Sequence, residues 1–461
     1  MATFPSKTAV TIGLFLGLAA LPEFVPAFRN YKIVSWDRFS AVLDFRPKDS
    51  RMSITSEMDA LRPQQALNHQ AIFPLDDPSE NLQHFYGALY RTETGEQRAL
   101  TRILHYGDSP TTADLITADM RMALQQRFGD AGHGFVLIGK PWAWYGHQTV
   151  DLSGSGWDAR PANQSDVKDG LFGLGGVSFA GSAGAHSDIR MTGAEHTSMD
   201  VAYLEQPGGG KFEILAEGQT IRNVDTSGPA PVSAFARVPI PYGSRHFEIR
   251  VDSGRVRMFG IEFRGDGPGV IYSSLGVNGA YVALLSKMFR ERHWAEQLQH
   301  YKPDLVIINY GTNESVYASF IDQAYKREIR EVVRRIRSAS PEASILIMSP
   351  MDRGERDASG NITTVPALAR LVTLEQRSAD ELGCAFFNTY EAMGGAGTMG
   401  RWYSAEPRLV SADFIHPTPG GARMVGNLLY RGLMNGYFRY KLRLIQNKVA
   451  ATKVSKAAKI N

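Results

Sequence analysis

Cysteine is nearly absent from this 461-residue chain: Cys384 stands alone, so no internal disulfide can hold the fold, which must rest on a hydrophobic core. An excess of one charge is missing too. Fifty lysines and arginines face 47 acidic residues, a net +3, which gives no long-range pull toward nucleic acid, and none is expected as a partner. His105, His133, His147, His186 and His196 do not fall at zinc-ligand spacing and have no cysteine near them, so they read as structural or substrate-facing. No metal and no other cofactor is expected. Apolar stretches long enough to span a bilayer are also lacking. The uncharged apolar segment after Lys7, residues 8–21, is shorter than the roughly 20 residues a span needs and is broken by Pro22, Glu23 and Pro26. It reads as the apolar region of an export signal, with small residues at Ala19, Ala20 and Ala27 that allow cleavage. Retention as a membrane anchor and a buried N-terminal helix are the alternatives.

What the chain does have is enough apolar residues, 43% with 10% aromatic, for one large or two medium cores. The organising stretch is 101–128. Ile103 and Leu104 lie in a β-prone run that the Gly107-Asp108-Ser109-Pro110 turn breaks, and Ile116, Met120, Ala123, Leu124 and Phe128 then recur with helical period. A serine between the end of a strand and the start of a helix exposes its hydroxyl on rigid elements beside unpaired backbone N–H groups, which suits acyl transfer.

Upstream, Asp77-Pro78-Ser79 caps a predicted helix carrying Leu82, Phe85, Tyr86 and Leu89. Downstream, Phe135-Val136-Leu137-Ile138 reads as a strand, and from about 140 to 265 the helical signal vanishes. Glycine turns there separate alternating runs such as Phe212, Ile214 and Ala216, or Phe247, Ile249 and Val251, which predicts a β-sandwich, jelly-roll-like insertion. Helical period returns at Tyr281. Strands over 304–309, 345–348 and 384–387 then alternate with helices through Ile329 to Ile336, Leu368 to Leu382 and Met424 to Leu433. Alternating βα units predict a mostly parallel sheet in a three-layer α/β/α domain, interrupted by the β insertion. Residues 441–461 carry six lysines or arginines and no acid, and read as a solvated tail, with contact to an anionic lipid or polymer as the alternative.

Three further blocks follow the serine in order: Gly276-Val277-Asn278-Gly279-Ala280, Gly311-Thr312-Asn313-Glu314 and Asp413-Phe414-Ile415-His416-Pro417. With Gly107-Asp108-Ser109 they resemble the SGNH/GDSL hydrolase family. That resemblance implies a nucleophile at Ser109, oxyanion donors from Ser109, Gly279 and Asn313, and a base at His416 oriented by Asp413. Gly276 is the rival for the glycine role; Gly279 is preferred because its distance to Asn313 suits the family. The residue types make chemical sense, since a serine hydroxyl needs a neutral imidazole to take its proton and a carboxylate to fix that imidazole's tautomer.

The block HYGDSPTTADLITADMR, the later AGHGF and PWAWYGH, and the placement of the insertion look like the peptidoglycan O-acetylesterases of Gram-negative bacteria. By that resemblance the insertion is similar to a carbohydrate-binding module, the partner is O-acetylated peptidoglycan or a related acetylated polysaccharide, and the ester lies on C6 of N-acetylmuramic acid. The compartment would be the periplasm, with attachment to the inner membrane through the N-terminus if the leader is kept. Trp142, Trp144 and Tyr145, where the chain enters the insertion, form either a sugar-stacking platform or packing of the domain junction. The expected organisation is a signal segment over 1–28, a tether and leading helix over 29–98, hydrolase parts over 99–139 and 266–440 around the insertion at 140–265, and the tail. Two other functions stay open: an exported polysaccharide O-acetyltransferase using the same residues, and a non-catalytic glycan-binding protein.

Overall fold

Six short strands hydrogen-bond into the central sheet in the spatial order Leu75–Asp76, Ala385–Phe387, Ser344–Met348, Leu305–Asn309, Leu100–Gly107, Gly269–Gly276. The computed structural model describes residues 74–458 apart from 97, 98, 165 and 194; the expected export segment and most of the tether lie outside the described residues. Five strands run parallel, and the two-residue edge strand Leu75–Asp76 pairs antiparallel with Phe386 and Phe387.

Parallel strands buried on both faces need apolar residues at every position, which is why LVIIN and SILIM read as continuous runs. Their side chains alternate between two helical layers. Leu104, Tyr106, Val306 and Ile308 pack with Trp294, Leu298, Ile329 and Val332 of the helices Glu291–Tyr301 and Lys326–Ala339. Ile103, Leu305 and Ile307 pack instead with Phe85, Ile116, Leu124 and Leu429 of the helices Gln83–Glu93, Leu115–Phe128 and Pro419–Ala458. The SGNH hydrolase fold expected from the sequence is this three-layer arrangement.

The insertion is antiparallel throughout. Eight strands from Val150–Pro161 to Arg255–Arg264, with Gly134–Val136, form one continuous nine-stranded sheet. It carries bulges beside Ser155, Ile214, Val251 and Met258, and its edge strands Gln219–Asp225 and Val232–Pro239 come together, so it curls nearly into a barrel. Its apolar face joins the cluster that holds Leu104 and Tyr106, so the two sheets share a core. A buried ion pair crosses that boundary: Arg102 on the central sheet donates from Nη2 to Glu262 on Arg255–Arg264 at 2.9 Å, while its Nη1 donates to the Tyr301 carbonyl.

Two elements differ from the sequence reading. The short strand after the serine helix is Gly134–Val136, and it pairs with Ile261–Phe263 in the insertion's sheet, because an apolar run states that it is buried without naming its partner. The basic stretch after 440 is no loose tail as far as Ala458. The closing helix Pro419–Ala458 runs through it; Lys441 is buried, with Nζ 4.9 Å from the Tyr437 ring centre and 3.1 Å from Glu93, and Arg443 pairs with Glu80 at 2.8 Å. Among the described residues no helix is long and apolar enough to cross a membrane.

Candidate active site

In the central sheet the chain passes from Leu100–Gly107 to Gly269–Gly276 on one side and then to Leu305–Asn309 on the other. A reversal of this kind opens a crevice at the carboxyl ends of the strands. Ser109, Gly279 and Asn313 lie just beyond the ends of those three strands, and His416 comes from the loop before the closing helix.

Ser109 opens a single helical turn, Ser109–Thr112, in which the Thr111 and Thr112 N–H groups donate to the Asp108 carbonyl. Its Oγ lies 2.7 Å from His416 Nε2, and His416 Nδ1 lies 2.6 Å from Asp413 Oδ2. With Nδ1–H donating to the carboxylate, Nε2 carries the lone pair toward the serine. The other carboxylate oxygen, Oδ1, accepts the N–H groups of Ile415 and His416 at 3.0 Å each. Burial works to raise the Asp413 carboxyl, but these hydrogen bonds outweigh it and hold it below the ordinary value, so it stays an anion beside the imidazole.

The loop is built to present both residues together. Phe414 sits between them with φ of +60°, a costly conformation for a bulky residue, held by burial of its ring edge-on to Tyr403, by the Arg356 guanidinium 4.9 Å above it, and by the Gly354 N–H donating to its carbonyl.

On the opposite side, Asn313 Nδ2 donates one N–H to the Ala280 carbonyl at 2.9 Å, which fixes the amide and leaves its second N–H for another acceptor. The two glycines of the second block differ in kind. A Cβ on Gly276 would stand 2.2 Å from the Thr112 nitrogen, so this residue lets the serine's helical turn pack on the neighbouring strand. Gly279, with φ of +68°, stands in open loop whose nearest outside atom would be 3.9 Å from a Cβ.

Sequence reasoning missed two acids beneath these loops. Glu314 is fully buried and accepts from Val282 N–H at 2.7 Å and Gly311 N–H at 3.1 Å, tying the second block to the third. Burial pushes its carboxyl up to about 8 against the pull of those donors. Asp108 is 3% exposed, with one oxygen that has no hydrogen-bond partner, and burial pushes it up to about 6, opposed by the Thr312 hydroxyl and the nearby charges of His416 and Arg353. The only signal in the sequence was their adjacency to Ser109 and Asn313.

The three candidate platform residues part company. Tyr145 is buried, its hydroxyl accepting from Leu137 N–H at 2.9 Å; Trp142 packs edge-on against it and against the core; Trp144 alone is open, 57% exposed. Of the histidines, His133 and His147 meet Asp114 in the interior, with 3.3 Å between their facing nitrogens. Asp114 already accepts from Arg121 twice, from Thr117 and from Gln148 N–H, and the adjacent guanidinium opposes a cation, so this cluster is a hydrogen-bond network of the core.

Residues 251–424 match the family model described as the GDSL-like Lipase/Acylhydrolase family. Those residues, a little over a third of the chain, carry that family's sequence pattern. The match, together with the Ser109–His416–Asp413 relay, supports a carboxylic ester hydrolase; the matched segment holds the glycine, asparagine and histidine blocks, while Ser109 precedes it in the sequence, ahead of the insertion. No curated protein sequence matches the hydrolase. Among solved structures it is similar to one titled "Peptidoglycan O-acetylesterase in action, 5 min", with a TM-score of 0.68 at 23% identity over 79% of this chain and 99% of that one, a likeness of fold. A Bacillus subtilis protein (TM-score 0.31, 12% identity, 62% of this chain and 90% of that) and a family two carbohydrate esterase from Clostridium thermocellum with cellohexaose (0.26, 11%, 62% and 100%) are too distant to carry argument.

Proposed function

We propose that this hydrolase removes O-acetyl groups from cell-wall glycan through an acetyl-serine at Ser109, with peptidoglycan acetylated on C6 of N-acetylmuramic acid as the substrate. The observation that carries the reaction is the relay from Ser109 Oγ through His416 to Asp413, at 2.7 and 2.6 Å. His416 Nε2 takes the serine proton as Oγ attacks the ester carbon, and Asp413 stabilises the imidazolium. The oxyanion is held by the Ser109 and Gly279 N–H groups and the remaining Asn313 N–H. His416 then returns the proton to the departing sugar oxygen. Water, deprotonated by the same imidazole, attacks the acetyl-serine and releases acetate.

The substrate rests on the fold shared with a structure titled for peptidoglycan O-acetylesterase and on the insertion beside the crevice. Export to the periplasm, by a cleaved or retained leader at residues 8–21, completes the reading. The test is to incubate the protein with O-acetylated and chemically de-acetylated peptidoglycan and measure free acetate with and without acceptor sugar. Acetate from the first alone, undiminished by acceptor, is the expected result. Acetate that disappears as acetylated acceptor accumulates would mark a transferase, and none from either polymer would remove peptidoglycan as substrate.

A further inference from the structure

The insertion does more than lie near the crevice: one of its side chains reaches into the loop that carries the glycine donor. Asn163, in the turn that follows Val150–Pro161, donates from Nδ2 to the carbonyl of Asn278 at 2.8 Å. That carbonyl and the Gly279 N–H belong to a single planar trans peptide, in which the two groups point in opposite directions. Fixing one fixes the other. The same peptide is the central one of a β-turn, because Ala280 N–H donates to the Val277 carbonyl at 3.1 Å and Gly279, at the third position, has a positive φ. Central peptides of such turns flip between two orientations, and a glycine at this position gives the flip little steric resistance. In the flipped state the N–H would face away from the crevice and a carbonyl would take its place.

Resting on the reading of Gly279 as an oxyanion donor, we propose that Asn163 is a positioning residue for catalysis, supplied by the insertion to lock the Asn278–Gly279 peptide with its N–H toward the ester. Three further observations support it. The turn that carries Asn163 is itself pinned, Ala162 N–H donating to the Gly176 carbonyl at 2.8 Å and Gln164 N–H to the Pro161 carbonyl at 3.1 Å. Gly176 presses on the residue that starts the β-turn, since a Cβ there would stand 2.5 Å from Val277 Cγ2. Finally, Asn163 Oδ1 is buried without a partner, an arrangement that costs stability and is retained while the Nδ2 end is engaged. A hydrogen bond to the carbonyl also polarises the peptide and strengthens its N–H as a donor.

The experiment compares Asn163→Asp, which keeps the shape and loses the donor, and Asn163→Ala with the parent, using a small aryl acetate too short to touch the insertion's outer surface. Asn313→Ala and Ser109→Ala serve as controls. The expected result is a fall in kcat of about tenfold for both Asn163 variants, with KM nearly unchanged and the melting temperature kept, because only the transition state uses the N–H. Inactivation by an aryl phosphonate, whose anionic oxygen occupies the same donors, should slow by the same factor. If Asn163→Asp keeps kcat and the phosphonate rate while Asn313→Ala loses both, the positioning role is overturned and the proposed chemistry stands. A loss that follows melting temperature alone also overturns it. If Ser109→Ala and Asn313→Ala keep activity, the proposed chemistry itself fails and the role of Asn163 falls with it.

Discussion

The strands of the central sheet and several of those of the insertion bury their residues in opposite styles. Ser344–Met348 is buried at all five positions, whereas His246–Ser253 alternates, sending Phe247, Ile249 and Val251 inward and Arg250 and Asp252 to solvent. The first pattern makes a rigid slab whose only variable parts are the loops at its ends, and Ser109, Gly279 and Asn313 sit in those loops. The second leaves one face of such a strand free to change without disturbing the core, although Ser198–Glu205 and Arg255–Arg264 of the same sheet are buried at most positions. The proposed chemistry therefore concentrates at the carboxyl ends of the parallel strands, and the insertion acts on it through contacts such as that of Asn163.

The largest effect that tests this division belongs to the slab. Ser109→Ala should lower ester hydrolysis by about 10⁴-fold or more, measured as acetate release, with an unchanged melting temperature, since a half-exposed hydroxyl adds little to the core. Retention of near-parental turnover would move the nucleophile elsewhere.

The next effect is on stability. Asp108 has its carboxyl raised from 3.8 to about 6 by burial. Between about pH 4 and 6 the unfolded chain has lost this proton while the folded chain keeps it, so the group's contribution is greatest at low pH and is lost as the pH rises through that window. Against Asp108→Asn, which cannot ionise, the parent should lose on the order of 3 kcal/mol of unfolding free energy from pH 4 to pH 7. Denaturant titrations of both proteins at each pH check this. A parent-minus-variant difference flat across the window would show that Asp108 ionises normally in the folded state.

Much of the slab was legible in the chain because each of its elements announces itself locally. DLVIIN is a short β-branched apolar run that reads as a buried strand, and a Gly-Asp-Ser turn between a strand and a helix places a hydroxyl before any partner is known. What stayed hidden depends on distant partners. Leu75–Asp76 is a strand only because Phe386 and Phe387 lie beside it. Gly134–Val136 reads the same in either sheet. The helix beyond 440 looked like a tail because Glu93 and Glu80, which answer Lys441 and Arg443, are more than 300 residues away. Asn163 in a polar turn carries no mark of the carbonyl it meets 115 residues later.

The smallest expected effect probes the insertion's outer contribution, and the structure divides what the sequence joined. Trp144 is exposed and Trp142 is packed against Tyr145 and the shared core, so their loss should have separate consequences. An aryl acetate needs the relay and the oxyanion donors, whereas a glycan strand offers remote contacts whose binding energy can orient the acetyl group. If a ring stacked on a pyranose is taken to contribute on the scale of an aromatic pair, it is worth about 0.5–1.5 kcal/mol. Trp144→Ala should thus lower kcat/KM on O-acetylated peptidoglycan by roughly threefold to tenfold, leaving aryl acetate turnover and melting temperature as they were. Trp142→Ala removes a partly buried ring packed against the core, so it should cost about 2 to 4 kcal/mol of stability and move both substrates alike once the folded fraction is accounted for. Equal losses on the two substrates for Trp144→Ala would leave the polymer without a stacking contact at that ring.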